Sequence, residues 1–289
     1  MKTRTGNYPI GFRRGGTEWQ RDIDSLIAWA KKNDLEAIDL GKDANVIGQK
    51  VLDAGLRIGS VDLRESKGMI SPDRTTREKA VEDNAEFIHE CSALGQTNFF
   101  LVMLPEKPQL PRAENFEYMV DSFSQLAPIL EKYESQIVIE GWPGPGALCC
   151  TPEGYRALFS AIPSKAMGIN YDPSHLLRMG IDPLRFLREF GDRVYHAHGK
   201  DTEILTENQY EYGTEQPATF MKPISFGAHS WRYTIPGHGI TRWVEVMNIL
   251  QEKDYQGGIS IELEDSNFNG PTASEQNGIL QGARFLTSV

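Results

Sequence analysis

The sequence predicts an α/β protein in which eight parallel strands, each followed by a helix, close into a single (β/α)8 TIM barrel. Two patterns in the chain favour this fold. Short apolar runs alternate with stretches of helical periodicity, which indicates parallel strands joined by helical crossovers, and eight such units suffice to close a barrel. A length of 289 residues is typical of such a barrel as one domain, here residues 1–289.

The eight predicted strands are short apolar runs bounded by charged or turn residues. In chain order they cover residues 8–13, 35–41, 56–63, 97–104, 136–142, 166–176 with the turn that follows, 193–201 and 257–265. The glycines of residues 11–16, Gly-Phe-Arg-Arg-Gly-Gly, lack the spacing of a phosphate-binding fingerprint. A doubly wound open sheet is therefore the second choice of fold.

The eight predicted helices show apolar residues three or four positions apart. In chain order they cover residues 17–33, 43–55, 75–95, 113–134, 151–162, 182–191, 240–255 and 272–288. Thr75 or Thr76 is expected to cap the third helix, and Thr151 followed by proline is a good start for the fifth. The connection over residues 202–236 is long, and such a loop is typical of a functional rim or lid.

Charge and composition restrict the partners of the protein. The chain has 40 acidic and 30 basic residues, a formal net charge of −10 that repels nucleic acid. It has no apolar run long enough for a membrane helix and no apolar signal core near residue 1. Its three cysteines do not make a disulfide framework. We expect a reduced, cytoplasmic protein with a small-molecule substrate and without nucleic-acid or membrane partners; a homo-oligomer is compatible with the sequence.

Titratable side chains follow four consecutive predicted strands, the fifth to the eighth. In a barrel, active-site groups come from the carboxyl ends of different strands. The residues concerned are Glu140, then Asp172 and His175, then His196, His198, Lys200 and Asp201, and finally Glu262 and Glu264. Carboxylate and imidazole ligands suit one divalent cation among Mn²⁺, Mg²⁺, Co²⁺, Fe²⁺ and Zn²⁺. Any one of these carboxylates could instead be a structural ion-pair partner.

The strand-end motifs of residues 137–265 resemble those of the xylose-isomerase-like TIM barrels, in particular the sugar phosphate isomerase/epimerase family with its inosose dehydratases and ketose 3-epimerases. The motifs are Val-Ile-Glu-Gly-Trp-Pro-Gly, Asn-Tyr-Asp-Pro-Ser-His-Leu, His-Ala-His-Gly-Lys-Asp and Gly-Gly-Ile-Ser-Ile-Glu-Leu-Glu-Asp. The resemblance implies one divalent metal, by preference Mn²⁺, with His175 beside the substrate. The implied metal ligands are Glu140, Asp172, His198 and Glu262.

Two features depart from the family pattern, and both bear on the substrate. Gly141 and Trp142 stand where relatives often have Asn-His, and residues 202–236 form a longer segment than expected. Trp142 could stack on a sugar ring or pack against the rim. Arg232 is a candidate for substrate binding at the same rim.

Three assignments stay open within the predicted site. Glu262 and Glu264 share one face of the predicted eighth strand, and only the resemblance favours Glu262 as the ligand. His196 is interpreted as a histidine hydrogen-bonded inside the barrel. Lys200 could anchor a substrate oxygen or phosphate, or pair with a carboxylate. Arg13, after the first predicted strand, could reach the site, although exposure at the surface is the expectation.

The predicted chemistry is removal of a proton from the carbon next to a carbonyl. A divalent cation stabilises the resulting enediolate of a hydroxy-ketone, and Glu140 and Glu262 are the candidate bases, with His175 and Lys200 as further catalytic candidates. This predicts a metal-dependent isomerase or epimerase of a sugar or keto-sugar. Expulsion of a β-leaving group would make it a lyase or dehydratase of a keto-sugar, keto-glycoside or keto-inositol. A DNA-repair endonuclease and a non-catalytic sugar-binding barrel are weaker alternatives.

Overall fold

The computed structural model describes residues 1–289 and contains ten strands, eight of which form a closed parallel sheet. The strands are β1 (Ile10–Arg13), β2 (Ala37–Leu40), β3 (Arg57–Asp62), β4 (Asn98–Val102), β5 (Gln136–Glu140), β6 (Met167–Tyr171), β7 (Val194–Gly199), β8 (Asp201–Ile204), β9 (Trp231–Thr234) and β10 (Ile259–Ile261). Around the closed sheet the order is β1-β10-β7-β6-β5-β4-β3-β2. Sequential strands are therefore neighbours, and the predicted (β/α)8 barrel is confirmed.

Helices separate the barrel strands, with additional short helices beside them. The helices are α1 (Glu18–Arg21), α2 (Ile23–Lys32), α3 (Ala44–Asp53), α4 (Arg74–Cys91), α5 (Arg112–Lys132), α6 (Pro152–Ala161), α7 (Pro173–Arg178), α8 (Pro183–Phe190), α9 (Thr206–Tyr212), α10 (Trp243–Glu252) and α11 (Thr272–Leu286). None of them combines the length and the apolar character that crossing a membrane requires.

Two predictions about helix ends are wrong and one is confirmed. Residues 17–33 form two helices rather than one, because Asp22 has an extended backbone and its side chain accepts a hydrogen bond from the Asp24 N–H. The cap of α4 is Asp73, whose carboxylate accepts from the Thr76 N–H at 2.7 Å. Thr151 caps α6 as predicted, with its hydroxyl accepting from a backbone N–H in the first turn.

The contacts within the chain group its residues into two compact units, each with its own buried apolar cluster. The first unit comprises residues 1–37, 172–189 and 198–289, and the second comprises residues 38–171 and 190–197. In the first unit the ring of Phe12 on β1 meets Trp29 edge-to-face, with 5.3 Å between centroids. In the second unit Phe99 on β4 meets Phe87 of α4 in the same way at 5.9 Å. Aromatic contacts of this kind add to the burial of apolar surface.

The long connection after β7 is partly regular, although the sequence predicts a loop over residues 202–236. β8 and β9 pair as an antiparallel two-stranded sheet, and α9 follows β8. The predicted eighth barrel strand is also shorter than expected. Because β10 ends at Ile261, Glu262 and Glu264 lie in the segment that follows the strand and not on one face of it.

Candidate functional site

Asp172 is held at the carboxyl end of β6 by the start of α7. Its Oδ1 accepts a hydrogen bond from the Ser174 N–H at 2.8 Å, which makes Asp172 the N-cap of the helix. The other oxygen, Oδ2, lies 3.2 Å from Lys200 Nζ and 3.4 Å from His175 Nε2. The Asp-Pro-Ser-His sequence therefore directs one carboxylate oxygen into a helix end and the other towards two titratable side chains.

His175 is a buried histidine whose ring orientation is set by Tyr233. Its Nδ1 lies 2.6 Å from the Tyr233 hydroxyl oxygen, which accepts a hydrogen bond from Arg178 at 2.7 Å. Burial raises the pKa of Tyr233 above its ordinary value, although the cations of Lys200 and Arg178 lower it. Since the phenol keeps its proton and a guanidinium can only donate, that proton is available to His175 Nδ1. Nε2 of His175 lies between Asp172 Oδ2 at 3.4 Å and Lys200 Nζ at 3.3 Å.

Lys200 is a fully buried ammonium group surrounded by carboxylates. Its Nζ donates to Glu262 Oε2 and, at 3.0 Å, to Glu264 Oε2, and it pairs with Asp172. The ring of Tyr233 lies 4.7 Å from Nζ as a cation–π partner. A charge buried this deeply needs such partners, because its desolvation costs several kcal/mol. The pairing of Lys200 with carboxylates is therefore observed.

Glu262 joins this lysine to a histidine and an arginine. His198 Nδ1 lies 3.4 Å from Glu262 Oε2, and Arg13 Nε lies 3.3 Å from Glu262 Oε1. Asp172, His198 and Glu262 each offer a ligand atom, and these atoms lie within 4.8 Å of one another. His198 and Asp172 are buried, while Glu262 keeps limited exposure. The first unit thus contains a cluster of acidic and imidazole groups that could bind a metal.

Glu140 is the last residue of β5, in the second unit. Its register partner on β6 is Asn170, and the Asn170 side-chain amide donates to Glu140 Oε2 at 2.9 Å. This amide therefore sets the orientation of a buried carboxylate. His196 pairs with Asp39 at 2.9 Å in the same unit, which confirms its interpretation as a histidine hydrogen-bonded inside the barrel.

Arg232 and Trp142 are the two predicted substrate contacts that lie outside the carboxylate cluster around Lys200. Arg232 donates to Glu203 at 2.7 Å and to Asp265 at 3.0 Å, so its guanidinium ties β9 to β8 and to the segment after β10. Trp142 is half-buried in the segment after β5. Their roles in substrate binding stay predictions.

Sequence reasoning missed two residues that touch the predicted groups, Tyr233 and Asn170. For Arg13 the expected surface exposure is wrong and the alternative, that it reaches the site, holds, because this residue pairs with Glu262. Arg13 is the last residue of β1, and its strand-end position was a usable signal. Tyr233 lies in the long connection and carried no such signal.

A sequence model of the xylose isomerase-like TIM barrel family matches residues 25–289. The chain belongs to this family. The chain is similar to the inosose dehydratase of Bacillus thuringiensis (strain Al Hakam), with 26% identity over 151 residues, or 52% of this chain and 48% of that protein. The chain spans about half the length, or less, of the curated relatives it matches. The family expected from the strand-end motifs is confirmed.

Solved structures of the same fold include two proteins of known name. A D-psicose 3-epimerase determined in the presence of D-fructose matches with a TM-score of 0.72 and 12% identity, covering 96% of this chain and 97% of that one. The IolI protein with a binding zinc atom matches with a TM-score of 0.65 and 16% identity, covering 96% of each chain. At these identities the similarity shows the shared fold.

Proposed function

We propose that this protein is a divalent-metal-dependent isomerase or epimerase of a sugar or keto-sugar. The observation that carries the proposal is the gathering of Asp172, His198 and Glu262, with ligand atoms within 4.8 Å, around which Lys200 and His175 are held. Family membership supports an enzyme that acts on carbohydrates, since several relatives are named inosose dehydratase. The whole chain, residues 1–289, is proposed to act as one barrel domain.

Glu140 is proposed as the fourth metal ligand. It ends β5, the strand next to β6 in the sheet, and it offers a carboxylate oxygen of the same kind as Asp172 and Glu262. With bonds of about 2.1 Å, neighbouring ligands of an octahedral cation lie about 3 Å apart and opposite ligands about 4.2 Å apart, so the three ligand atoms of the first unit, which lie within 4.8 Å of one another, would approach by less than about 2 Å. A set of three carboxylates and one imidazole suits Mn²⁺, our preferred metal, and also Mg²⁺, Co²⁺, Fe²⁺ and Zn²⁺.

The cation would supply positive charge that stabilises the negative charge left on a hydroxy-ketone when its α-proton is removed. Glu140 and Glu262 are proposed to take and return that proton. The carboxylate of Glu262 is oriented by Arg13 on one oxygen and by Lys200 on the other, and Asn170 orients Glu140. A base held in this way keeps its geometry when substrate binds.

Lys200 and His175 are proposed to contact the oxygens of the substrate. The ammonium of Lys200 can donate three hydrogen bonds, and a substrate oxygen could replace one of its carboxylate partners. Tyr233 holds Nδ1 of His175, so that Nε2 faces Asp172 and Lys200 and is the ring nitrogen proposed to meet the substrate. Trp142 and Arg232 remain proposed substrate contacts, and residues 202–236, which supply Tyr233, are proposed as the rim that selects the substrate.

A dehydratase is the second candidate function, and the similarity to an inosose dehydratase favours it. The same groups serve both reactions, because elimination also begins with removal of the α-proton. The difference is the fate of the β-hydroxyl, which leaves with a proton supplied by an acid such as His175 or Lys200. A keto-inositol would then lose water, whereas an epimerised ketose keeps its formula.

Isotope exchange and metal analysis test this proposal on the same protein preparation. D-fructose, D-psicose and scyllo-inosose are incubated with Mn²⁺-loaded protein in heavy water and followed by NMR and mass spectrometry. We expect deuterium at the carbon next to the carbonyl in at least one of them. Loss of water would identify the dehydratase, and deuterium without loss of water would identify the epimerase or isomerase.

Glu140→Gln and Glu262→Gln identify the base, with Glu252→Gln, at an exposed position of α10, as the matched control. General-base catalysis is worth about 10²–10⁴-fold, so each site variant should lose exchange by that order when its metal content is retained. The control should exchange like the wild type. Metal-replete site variants that both exchange at the wild-type rate would place the base elsewhere, and wild-type protein that binds no divalent metal would refute the proposal.

A further inference from the structure

A cavity of 290 Å³ adjoins Glu262 within the first compact unit. Its lining comes from residues 13–17 after β1, from residues 262–264 after β10, and from Phe226 in the long connection. Glu262 therefore belongs both to this cavity and to the carboxylate cluster around Lys200. Arg13 also lines the cavity while its Nε contacts Glu262 Oε1 at 3.3 Å.

The charges at the cavity favour an uncharged ligand. Arg13 and Arg14 bring two positive charges, whereas the carboxylates of Glu262, Glu264 and Glu275 bring three negative ones. The ammonium of Lys200, which pairs with Glu262 and Glu264, brings a third positive charge, so the positive and negative charges balance. A phosphate or carboxylate would be repelled by the carboxylates, and a cation would meet two guanidinium groups.

The hydrogen-bonding groups of the lining suit a ring that carries hydroxyl groups. The buried Glu275 accepts from the Thr17 hydroxyl at 2.8 Å and from the Trp19 indole N–H at 2.6 Å, which holds its carboxylate at the wall. Sugar hydroxyls both donate and accept, so they can bond to carboxylates and guanidinium groups alike. The half-buried ring of Phe226 adds an apolar surface for the C–H face of a sugar.

The cavity has room for one such ring. Its volume is near the lower end of the range of about 300–1,000 Å³ that is typical of small-molecule sites. The loop after β1 leaves space open, because a Cβ built on Gly16 would meet no atom within 4 Å. Phe226 is held in place although its φ is +55°, since its carbonyl accepts from the Tyr233 N–H at 2.8 Å.

We propose that this cavity binds an uncharged sugar ring that is attached to the sugar reacting beside Glu262. The substrate class is then a two-ring keto-glycoside, bound in preference to a free monosaccharide or a sugar phosphate. This inference rests on the proposed function, because it takes Glu262 as the point where the reacting ring binds. It adds the second ring and the exclusion of charged substrates.

The direct test compares one-ring, two-ring and phosphorylated ketoses. Isothermal titration of Mn²⁺-loaded protein is carried out with D-fructose, with fructose 6-phosphate, and with the fructose-containing disaccharides palatinose, turanose and lactulose. We expect at least one disaccharide to bind about tenfold more tightly than D-fructose, a gain that one additional sugar contact can supply. Fructose 6-phosphate should bind no more tightly than D-fructose.

The Gly16→Tyr substitution is designed to fill the cavity, so it measures how much the cavity contributes to the binding of a disaccharide. The added ring enters open space beside the loop, so the variant should lose the disaccharide preference and keep the wild-type affinity for D-fructose. Ala113→Tyr is the control, because Ala113 lines a different cavity of 320 Å³ between α5 and α6 residues. This control should bind every sugar like the wild type.

The outcomes separate this inference from the proposed function. Equal or weaker binding of all three disaccharides relative to D-fructose overturns the inference, as does tighter binding of fructose 6-phosphate, no binding of any sugar, or an equal loss for both sugars in Gly16→Tyr. Metal content and deuterium exchange are measured on the same protein. Disaccharide-selective binding without metal uptake or exchange would refute the proposed function and leave the cavity assignment standing.

Discussion

Lys200 and Asp201 are adjacent buried charges that the protein compensates in opposite ways. The ammonium of Lys200 is surrounded by the carboxylates of Asp172, Glu262 and Glu264. The carboxylate of Asp201 accepts hydrogen bonds from uncharged donors. These are the Thr202 N–H at 2.8 Å, the Thr241 N–H at 2.9 Å and hydroxyl at 2.6 Å, the Trp243 indole at 2.9 Å and the Gly237 N–H at 3.3 Å.

The two arrangements suit different tasks. The donors to Asp201 come from both ends of the long connection, from Thr202 at its start and from residues 237–243 beyond its end, so this carboxylate closes the base of the segment. Fixed neutral donors can stabilise a carboxylate without a mobile counter-charge. Around Lys200 three carboxylates face one ammonium, and Glu264 remains one-third exposed. A metal or a substrate can therefore replace one of the partners of Lys200. Both oxygens of Asp201 already accept hydrogen bonds from fixed donors, so its environment is expected to stay unchanged.

The same substitution made in the two regions should give the largest contrast. Asp172→Asn is expected to abolish stoichiometric Mn²⁺ binding and to lower kcat/KM by more than about 100-fold, since even supporting groups of metal sites are worth 10–100-fold. His198→Ala should do the same. Asp201→Asn should retain its metal. Elemental analysis and turnover of all three variants check this, and full metal content in Asp172→Asn would remove the distinction between the regions.

Lys200→Met sharpens the comparison by removing the ammonium from its carboxylates. Loss of one partner from a buried ion pair costs about 3–5 kcal/mol of unfolding free energy, and we expect that loss in the presence of a chelator. Mn²⁺ should restore more stability to this variant than it adds to the wild type, because metal and ammonium neutralise the same oxygens. Urea unfolding with and without Mn²⁺ measures both gains. Equal gains would mean that the metal does not contact these carboxylates.

Asp201→Asn should destabilise the protein without any rescue by metal. One oxygen becomes an amide that cannot accept, which leaves donors such as the Trp243 indole without their charged partner. Hydrogen bonds to charged groups contribute about 1.5–3 kcal/mol, so a loss of about 3 kcal/mol is expected in urea unfolding. Turnover per folded molecule should stay close to the wild-type value. Rescue of the lost stability by Mn²⁺ would show that both regions belong to one metal-coupled site.

Tyr233→Phe gives the smallest expected effect and probes the residue that links the regions. Tyr233 comes from the segment that Asp201 closes, and it contacts His175 and Lys200. Its pKa is raised by burial, so its contribution to stability is complete below the unfolded pKa of about 10 and is lost at higher pH. Wild-type protein should therefore lose more unfolding free energy than the variant between about pH 9 and pH 11. Parallel pH profiles would show that Tyr233 ionises as freely in the folded protein as in the unfolded chain.

Local sequence was sufficient for the elements and for the placement of most candidate groups. Alternating strand and helix patterns predicted eight barrel strands, and parallel pairing brings their carboxyl ends to one edge. Glu140, Asp172 and His198 could therefore be assigned to strand ends without any knowledge of their contacts. The start of α6 at Thr151 and Pro152 also followed from the chain alone, because capping depends on neighbours three residues away.

Only the tertiary structure decided which groups face one another. Tyr233 reaches His175 across 58 positions of the chain, and Arg13 reaches Glu262 from the strand at the opposite end of the sequence. The end of β10 before Glu262 likewise depends on how segments meet. Periodicity and caps are local properties, and so they can be read along the chain. The partners of a buried charge are set by the paths of distant loops, because desolvation makes each charge take whatever oppositely charged or hydrogen-bonding groups the fold brings to it.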